Sequence, residues 1–202
     1  MKKTEVLTRI CQCAIHYSNN LEHKNYLFIY NIAAKNEPHR FDFIETIFAK
    51  QNFRHLTGVE TELEAVVFYK RCIEKKLRSN DFSVPITGTC EQKLKILYEL
   101  MAPSKSCKMI GYYGNEGVYL KTSHIIGNVR GVMGFVPYEK NTRFFVPNTV
   151  LEGDIRSKTK DRPFRIIAIA CKDIKDPTYS NICYLAHEID ESSIRKYIIQ
   201  HV

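Results

Sequence analysis

Two stretches of this chain lack polar alternation: Tyr26-Leu27-Phe28-Ile29-Tyr30, and the run from Arg165 to Cys171, which is rich in Ile and Ala. A strand with one wet face alternates apolar and polar side chains, so aromatic and branched runs without that alternation must be covered on both faces. The chain therefore has to build a sheet with material on either side, and the later run belongs at its centre. Helical spacing dominates the first half. Leu7, Ile10, Cys11 and Ala14 recur at three-and-four intervals, which predicts an opening helix that ends near Ser18-Asn19-Asn20. Thr61 with Glu64, followed by Leu63, Val66, Val67, Ile73 and Leu77, predicts a helix over 61–79. Thr89 with Gln92 opens another, with Leu94, Leu97, Tyr98 and Met101 on one stripe and Pro103 at its end.

Short strands take over later. Phe41, Phe43 and Ile47 alternate with Asp42 and Thr46, and Met109 to Tyr113 and Val118 to Lys121 flank a Gly114-Asn115-Glu116-Gly117 turn. Val132 to Val136, Arg143 to Val146 before Pro147, and Asn181 to Ala186 read as further strands, and Ile194, Tyr197 and Ile198 after Asp190 as a closing helix. Early helices and late strands predict an α+β fold, with leading helices packed on a mainly antiparallel sheet of about four to six strands. At 202 residues the simplest organisation is a single domain over 1–202, with Asp81 to Gly88 the best candidate for an internal boundary.

Thirty Lys and Arg against 22 Asp and Glu leave a net charge of +8, which favours an anionic partner, because phosphates neutralised by Lys and Arg release counterions. No apolar run approaches the roughly 20 residues needed to span a bilayer, and no signal-peptide core follows Met1-Lys2-Lys3, so a cytoplasmic protein without membrane contact is expected. Seven cysteines, mostly in apolar contexts, suit reduced buried thiols. Cys11 and Cys13 point about 200° apart on a helix and cannot share one ion, so they and His16 are assigned structural roles and no metal or other cofactor is expected.

The chemistry concentrates at Phe53-Arg54-His55-Leu56-Thr57-Gly58, where an imidazole that titrates near neutrality sits beside a hydroxyl and a turn glycine. No phosphate-loop spacing, no Gly-x-Ser-x-Gly elbow and no carboxylate cluster is present. What fits is metal-free RNA cleavage, in which the substrate's own 2′-hydroxyl attacks and the protein supplies a base, an acid and cations. Candidates for these parts follow or end sheet elements: His55 and Thr57; Lys121, Thr122, Ser123 and His124; Asp154 through Lys160, with Arg156 and Lys158; then Lys172 and Tyr179. His55 is the expected base or acid, with Arg156 and Lys172 stabilising the phosphate and Tyr179 or Thr57 orienting it. Lys121, Ser123 and Lys158 are expected to hold substrate, and Tyr112, with Tyr113 and Tyr119, to stack on unpaired bases.

The FRHLTG run, the Phe68-Tyr69 pair in the next helix, and the hydrophobic strand ending at Lys172 with Tyr179 beyond resemble the phage-borne nucleases grouped with barnase, EndoU, colicin and RelE. The resemblance extends over about residues 25–186. It implies leading helices followed by an antiparallel sheet that carries a metal-independent RNase site, and a setting in mobile elements or toxin systems. Only His55, Thr57 and Gly58 lie on its matched motif, with Lys172 and Tyr179 on looser alignment. A barnase-type set of one Glu, two Arg and a late His is not readable, although His187 follows the last strand. The partners this implies are RNA, tRNA among the candidates, and a protein antitoxin or immunity partner. The competing reading is a non-catalytic nucleic-acid-binding or toxin–antitoxin interaction protein.

Overall fold

The computed structural model describes residues 1–34, 37–114, 120–139 and 141–202. In chain order the elements are α1 (Lys3–Asn20), β1 (Lys24–Asn31), β2 (Phe41–Ile47), α2 (Phe53–Thr57), α3 (Ala65–Ile73), α4 (Thr89–Leu100), α5 (Pro103–Ser106), β3 (Met109–Tyr112), β4 (His124–Gly127), β5 (Gly131–Tyr138), β6 (Asn141–Glu152), β7 (Phe164–Asp173), β8 (Asn181–Leu185) and α6 (Glu191–His201). The expected turn residues Asn115 to Gly117, with Val118 and Tyr119, lie outside the described residues.

The sheet departs from the expectation of four to six strands in an open layer. Among the described residues it has eight, in the order β1-β2-β6-β5-β4-β3-β7-β8, and a further pairing of β1 with β7 closes the first seven into a barrel, leaving β8 appended on β7. Closure comes from a long antiparallel ladder that runs from Lys24 opposite Asp173 to Asn31 opposite Arg165. The pairing of β2 with β6 departs from antiparallel order, with Glu45 opposite Phe144 in parallel register. Closure removes sheet edges, so neither long apolar strand is left with an unpaired side.

Both unalternating runs are barrel wall. From β1, Tyr26, Phe28 and Tyr30 join the main core with the apolar faces of α1, α3 and α4, whereas Leu27 and Ile29 join a second core under α6. The same division places Ile166 and Ile169 of β7 in the first core and Ile167, Ala168 and Ala170 in the second. Two-sided burial is thus satisfied by α1, α3 and α4 against one face of these strands and α6 against the other. Phe82 packs in the main core too, so that core runs through the Asp81 to Gly88 segment.

Local deviations have local causes. The helix expected over 61–79 occupies only Ala65–Ile73, because Glu60 bridges to Ser83 and the Thr61 hydroxyl donates to the Asp81 carbonyl at 2.5 Å instead of capping. It stops where Lys75 adopts a left-handed backbone with φ 56°. Strand β6 runs through Pro147 because Pro147 sits opposite Phe135 at a bulge, where a missing N–H is tolerated. At Gly127 a Cβ would stand 2.2 Å from the Gly131 carbonyl oxygen, so the turn between β4 and β5 needs a residue without a side chain. Gly127→Ala should therefore lower stability by about 1–3 kcal/mol, read as a lower urea midpoint at unchanged slope.

Candidate active site

The residues expected to act together do not line one hollow. His55 is exposed at the end of α2 and borders a hollow with Arg54, Thr61, Thr87, Thr89 and Lys93. Burial, then Arg54 and Lys93, push its imidazole below the ordinary histidine range, while its ring makes no hydrogen bond among the described residues. Thr57 is fully buried and its hydroxyl donates to the Arg54 carbonyl at 2.8 Å, so it closes the last turn of α2. Gly58 follows in the left-handed region at φ 73°, as a helix-ending glycine does.

Arg156 lies on a single 3-10 turn (Ile155–Ser157) outside the barrel and chelates Asp154 through Nε and Nη2. Lys158 runs beside Gly153, in the same turn region. Lys172 donates to the Pro177 carbonyl at 3.2 Å and stands 4.8 Å over the ring of Tyr179. Tyr179 is buried, with its hydroxyl donated to Glu45 at 2.5 Å, and Arg143 holds the other Glu45 oxygen. Burial, then the Glu45 carboxylate, holds that phenol well above the ordinary range, so it stays protonated. Lys121 is exposed and borders a separate hollow with Gln51, Asn52 and Asn148. None of these partners lines the hollow at His55.

Tyr112 and Ser123, by contrast, meet at a different imidazole. His124 opens β4, opposite Tyr112 of β3 on one side and Phe135 of β5 on the other. Its ring centroid lies 4.8 Å from those of both Tyr112 and Phe145. The Ser123 hydroxyl is 3.0 Å from Nδ1. Across the end of the barrel, Tyr30 of β1 donates to the Asp42 carboxylate of β2 at 3.1 Å. Burial lowers the His124 pKa, and Asp42 is close enough to pull it partly back. Burial also raises Tyr30, with Asp42 adding to the effect, so Tyr30 keeps its proton.

The strand ends explain this convergence. The C-terminal ends of β1 and β3 and the N-terminal ends of β2, β4 and β7 all reach the same end of the barrel. Exposed Arg40 leads into β2 at this end, and exposed Lys160 is tied there by its backbone N–H to the Tyr112 carbonyl at 2.9 Å, with exposed Arg162 following. A neutral imidazole beside a carboxylate, two phenols and nearby cations can move protons at an anionic substrate. Among the described residues, no group of three or more His, Cys, Asp or Glu has metal-binding geometry, and no helix is long and apolar enough to cross a membrane.

Residues 9–188 match the family model described as phage-Barnase-EndoU-ColicinE5/D-RelE like nuclease4. The chain belongs to this nuclease family. Neither the curated proteins nor the solved structures compared with it gave a match. The matched span of the family member takes in α2 and every strand, including the end of the barrel where His124 sits, and stops short of α6.

Asp42, Tyr30 and Phe145 had no part in the sequence reading of the site, and His124 appeared there only as one of a polar run. The available signal was Asp42: it alternates with Phe41 and Phe43, and its strand neighbours a run with no exposed face, so a carboxylate was bound for a covered surface.

His16, His55 and His124 all bind protons less readily in the folded family member than in the unfolded chain, each chiefly through burial. The unfolded state therefore takes up more protons once pH falls below the ordinary histidine value of about 6.5, and the stabilisation present above that value is lost toward the lower folded values. The thermal midpoint should fall between about pH 7 and pH 5, and replacing the three histidines with glutamine should flatten that slope.

Proposed function

We propose that this nuclease-family chain is an endoribonuclease that cuts RNA without a metal, by attack of the substrate's 2′-hydroxyl on the adjacent phosphorus, at the end of the barrel around His124. The observation that carries this reading is the half-buried His124 imidazole, neutral at physiological pH, facing Tyr112 with the Asp42 carboxylate close by. His124 takes the 2′-hydroxyl proton; the 2′-oxygen–phosphorus bond forms as the bond to the 5′-oxygen breaks. The departing 5′-oxygen receives a proton from the Tyr112 phenol, which is 48% exposed at the rim. Asp42 steadies the imidazolium formed in the transition state, and Arg40, Lys160 and Arg162 supply positive charge for the phosphorane. The products are a 2′,3′-cyclic phosphate and a free 5′-hydroxyl, and no base beyond the imidazole is required.

His55 offers an exposed imidazole and two cations, but no hydrogen bond among the described residues fixes its ring. The test is cleavage of total RNA by purified protein in excess chelator, with end analysis of the products, comparing wild type with His124→Gln and His55→Ala. Chelator-resistant cleavage with cyclic-phosphate ends, lost in His124→Gln, supports the reading. Loss in His55→Ala with retention in His124→Gln would move the chemistry to the α2 hollow. RNA mobility shifts without cleavage would make the protein a binding module, and inhibition by a co-expressed neighbouring protein would identify an antitoxin or immunity partner.

A further inference from the structure

We infer that Ser123 is a positioning residue that fixes the proton of His124 on Nδ1 and so leaves Nε2 as the base; this deepens the assignment of His124 made above and rests on it. Ser123 is held rigidly ahead of β4: its carbonyl accepts from Tyr113 N–H at 3.0 Å and its own N–H donates to the Phe135 carbonyl at 2.9 Å. Its hydroxyl is therefore delivered to one place, 3.0 Å from His124 Nδ1 and 3.1 Å from the Phe135 carbonyl oxygen. A hydroxyl carries one proton, whereas a carbonyl oxygen only accepts.

Two arrangements compete. If the imidazole proton sits on Nδ1, it donates to Ser123 Oγ and the hydroxyl proton passes on to Phe135, so two bonds form in series. If it sits on Nε2, the hydroxyl proton can serve either Nδ1 or Phe135, and one bond of the two is forfeited. The Nε2 proton would then have no hydrogen-bond acceptor among the described residues. The first arrangement satisfies every donor, and a half-buried site penalises the unpaired donor of the second. Free imidazole prefers the opposite tautomer, so the serine has something to reverse.

Nitrogen-15 NMR of the histidine-labelled full chain at about pH 7.5, above the ordinary histidine pKa, reads the tautomer directly. The His124 signals are identified as those missing from His124→Gln. In wild type the Nδ1 of His124 should carry the proton; in Ser123→Ala the proton should shift toward Nε2, and Ser123→Thr, which keeps the hydroxyl, should restore the wild-type pattern. The matching kinetic result is a kcat drop of about 10-fold or more in Ser123→Ala with KM little changed and recovery in Ser123→Thr. A wild-type His124 protonated on Nε2 overturns the inference, whether or not the variants fold. Absence of cleavage by wild type, with the proton found on Nδ1, would instead overturn the ribonuclease reading and leave the serine's control of the ring intact.

Discussion

His124→Gln is expected to lose RNA cleavage by a factor of about 10² to 10⁴, the range that a positioned general base contributes. Glutamine keeps a planar polar group of similar reach while removing the titrating nitrogen, so the circular dichroism spectrum and urea midpoint should change little. The pH profile adds an independent check. Because burial places the His124 pKa below the ordinary value, the imidazole is already unprotonated at neutrality. Cleavage should therefore hold its full rate through neutral pH and fall on the acidic side, as His124 takes up its proton. A profile that instead lost activity between about pH 7 and pH 6 would mean a histidine of ordinary or raised pKa is doing the work. Initial rates on a labelled RNA across buffers of constant ionic strength distinguish the two.

Phe53→Ala should be the most damaging single change in the FRHLTG run, costing about 3–5 kcal/mol. Phe53 is 0% exposed, with its ring centroid 5.4 Å from that of Tyr17 and 5.3 Å from that of Tyr69, and Phe68 stacked beyond. It therefore pins α2 to α1 and α3 at once. That cost is a large share of the roughly 5–15 kcal/mol that stabilises an ordinary domain, so the variant should show a sharply lowered urea midpoint. A loss under about 1 kcal/mol would mean that the motif is not the packing anchor its geometry describes. His55→Ala, at an exposed position beside it, should stay within about 0.5 kcal/mol of wild type.

The contrast between Phe53 and His55 marks how far the amino-acid order could be read. Short-range physics was legible: the opening helix with Ile10 and Ala14 on its buried side, the places of β1 and β2, the α6 cap at Asp190, and the two-sided burial of the runs at 26–30 and 165–171 all depend on neighbours a few residues apart. What was not legible depends on partners far along the chain. The ladder of β1 with β7 links residues some 140 positions apart, and an unalternating strand looks the same in an open, doubly covered sheet as in a barrel wall. That ambiguity hid the eight-stranded closed arrangement. The site suffered likewise. His124, Asp42 and Tyr30 come from three strands that no local pattern joins, while FRHLTG is prominent as a string because Phe53, Leu56 and Thr57 are buried and Gly58 has to turn. The family resemblance read from that string agrees with the nuclease family matched over residues 9–188, although its residues contribute packing more visibly than chemistry.

The ladder that joins Lys24 to Asp173 also sets an order of events during synthesis. Strand β1 emerges from the ribosome early, but its second partner is not made until most of the chain has been translated, so a nascent chain carries a hydrophobic strand with one side waiting. Tyr30 and Asp42 likewise wait for His124. This nuclease-family chain therefore reaches its folded shape only after the last barrel strand has been delivered, and truncated products that end before Phe164 should be inert and bound by chaperones.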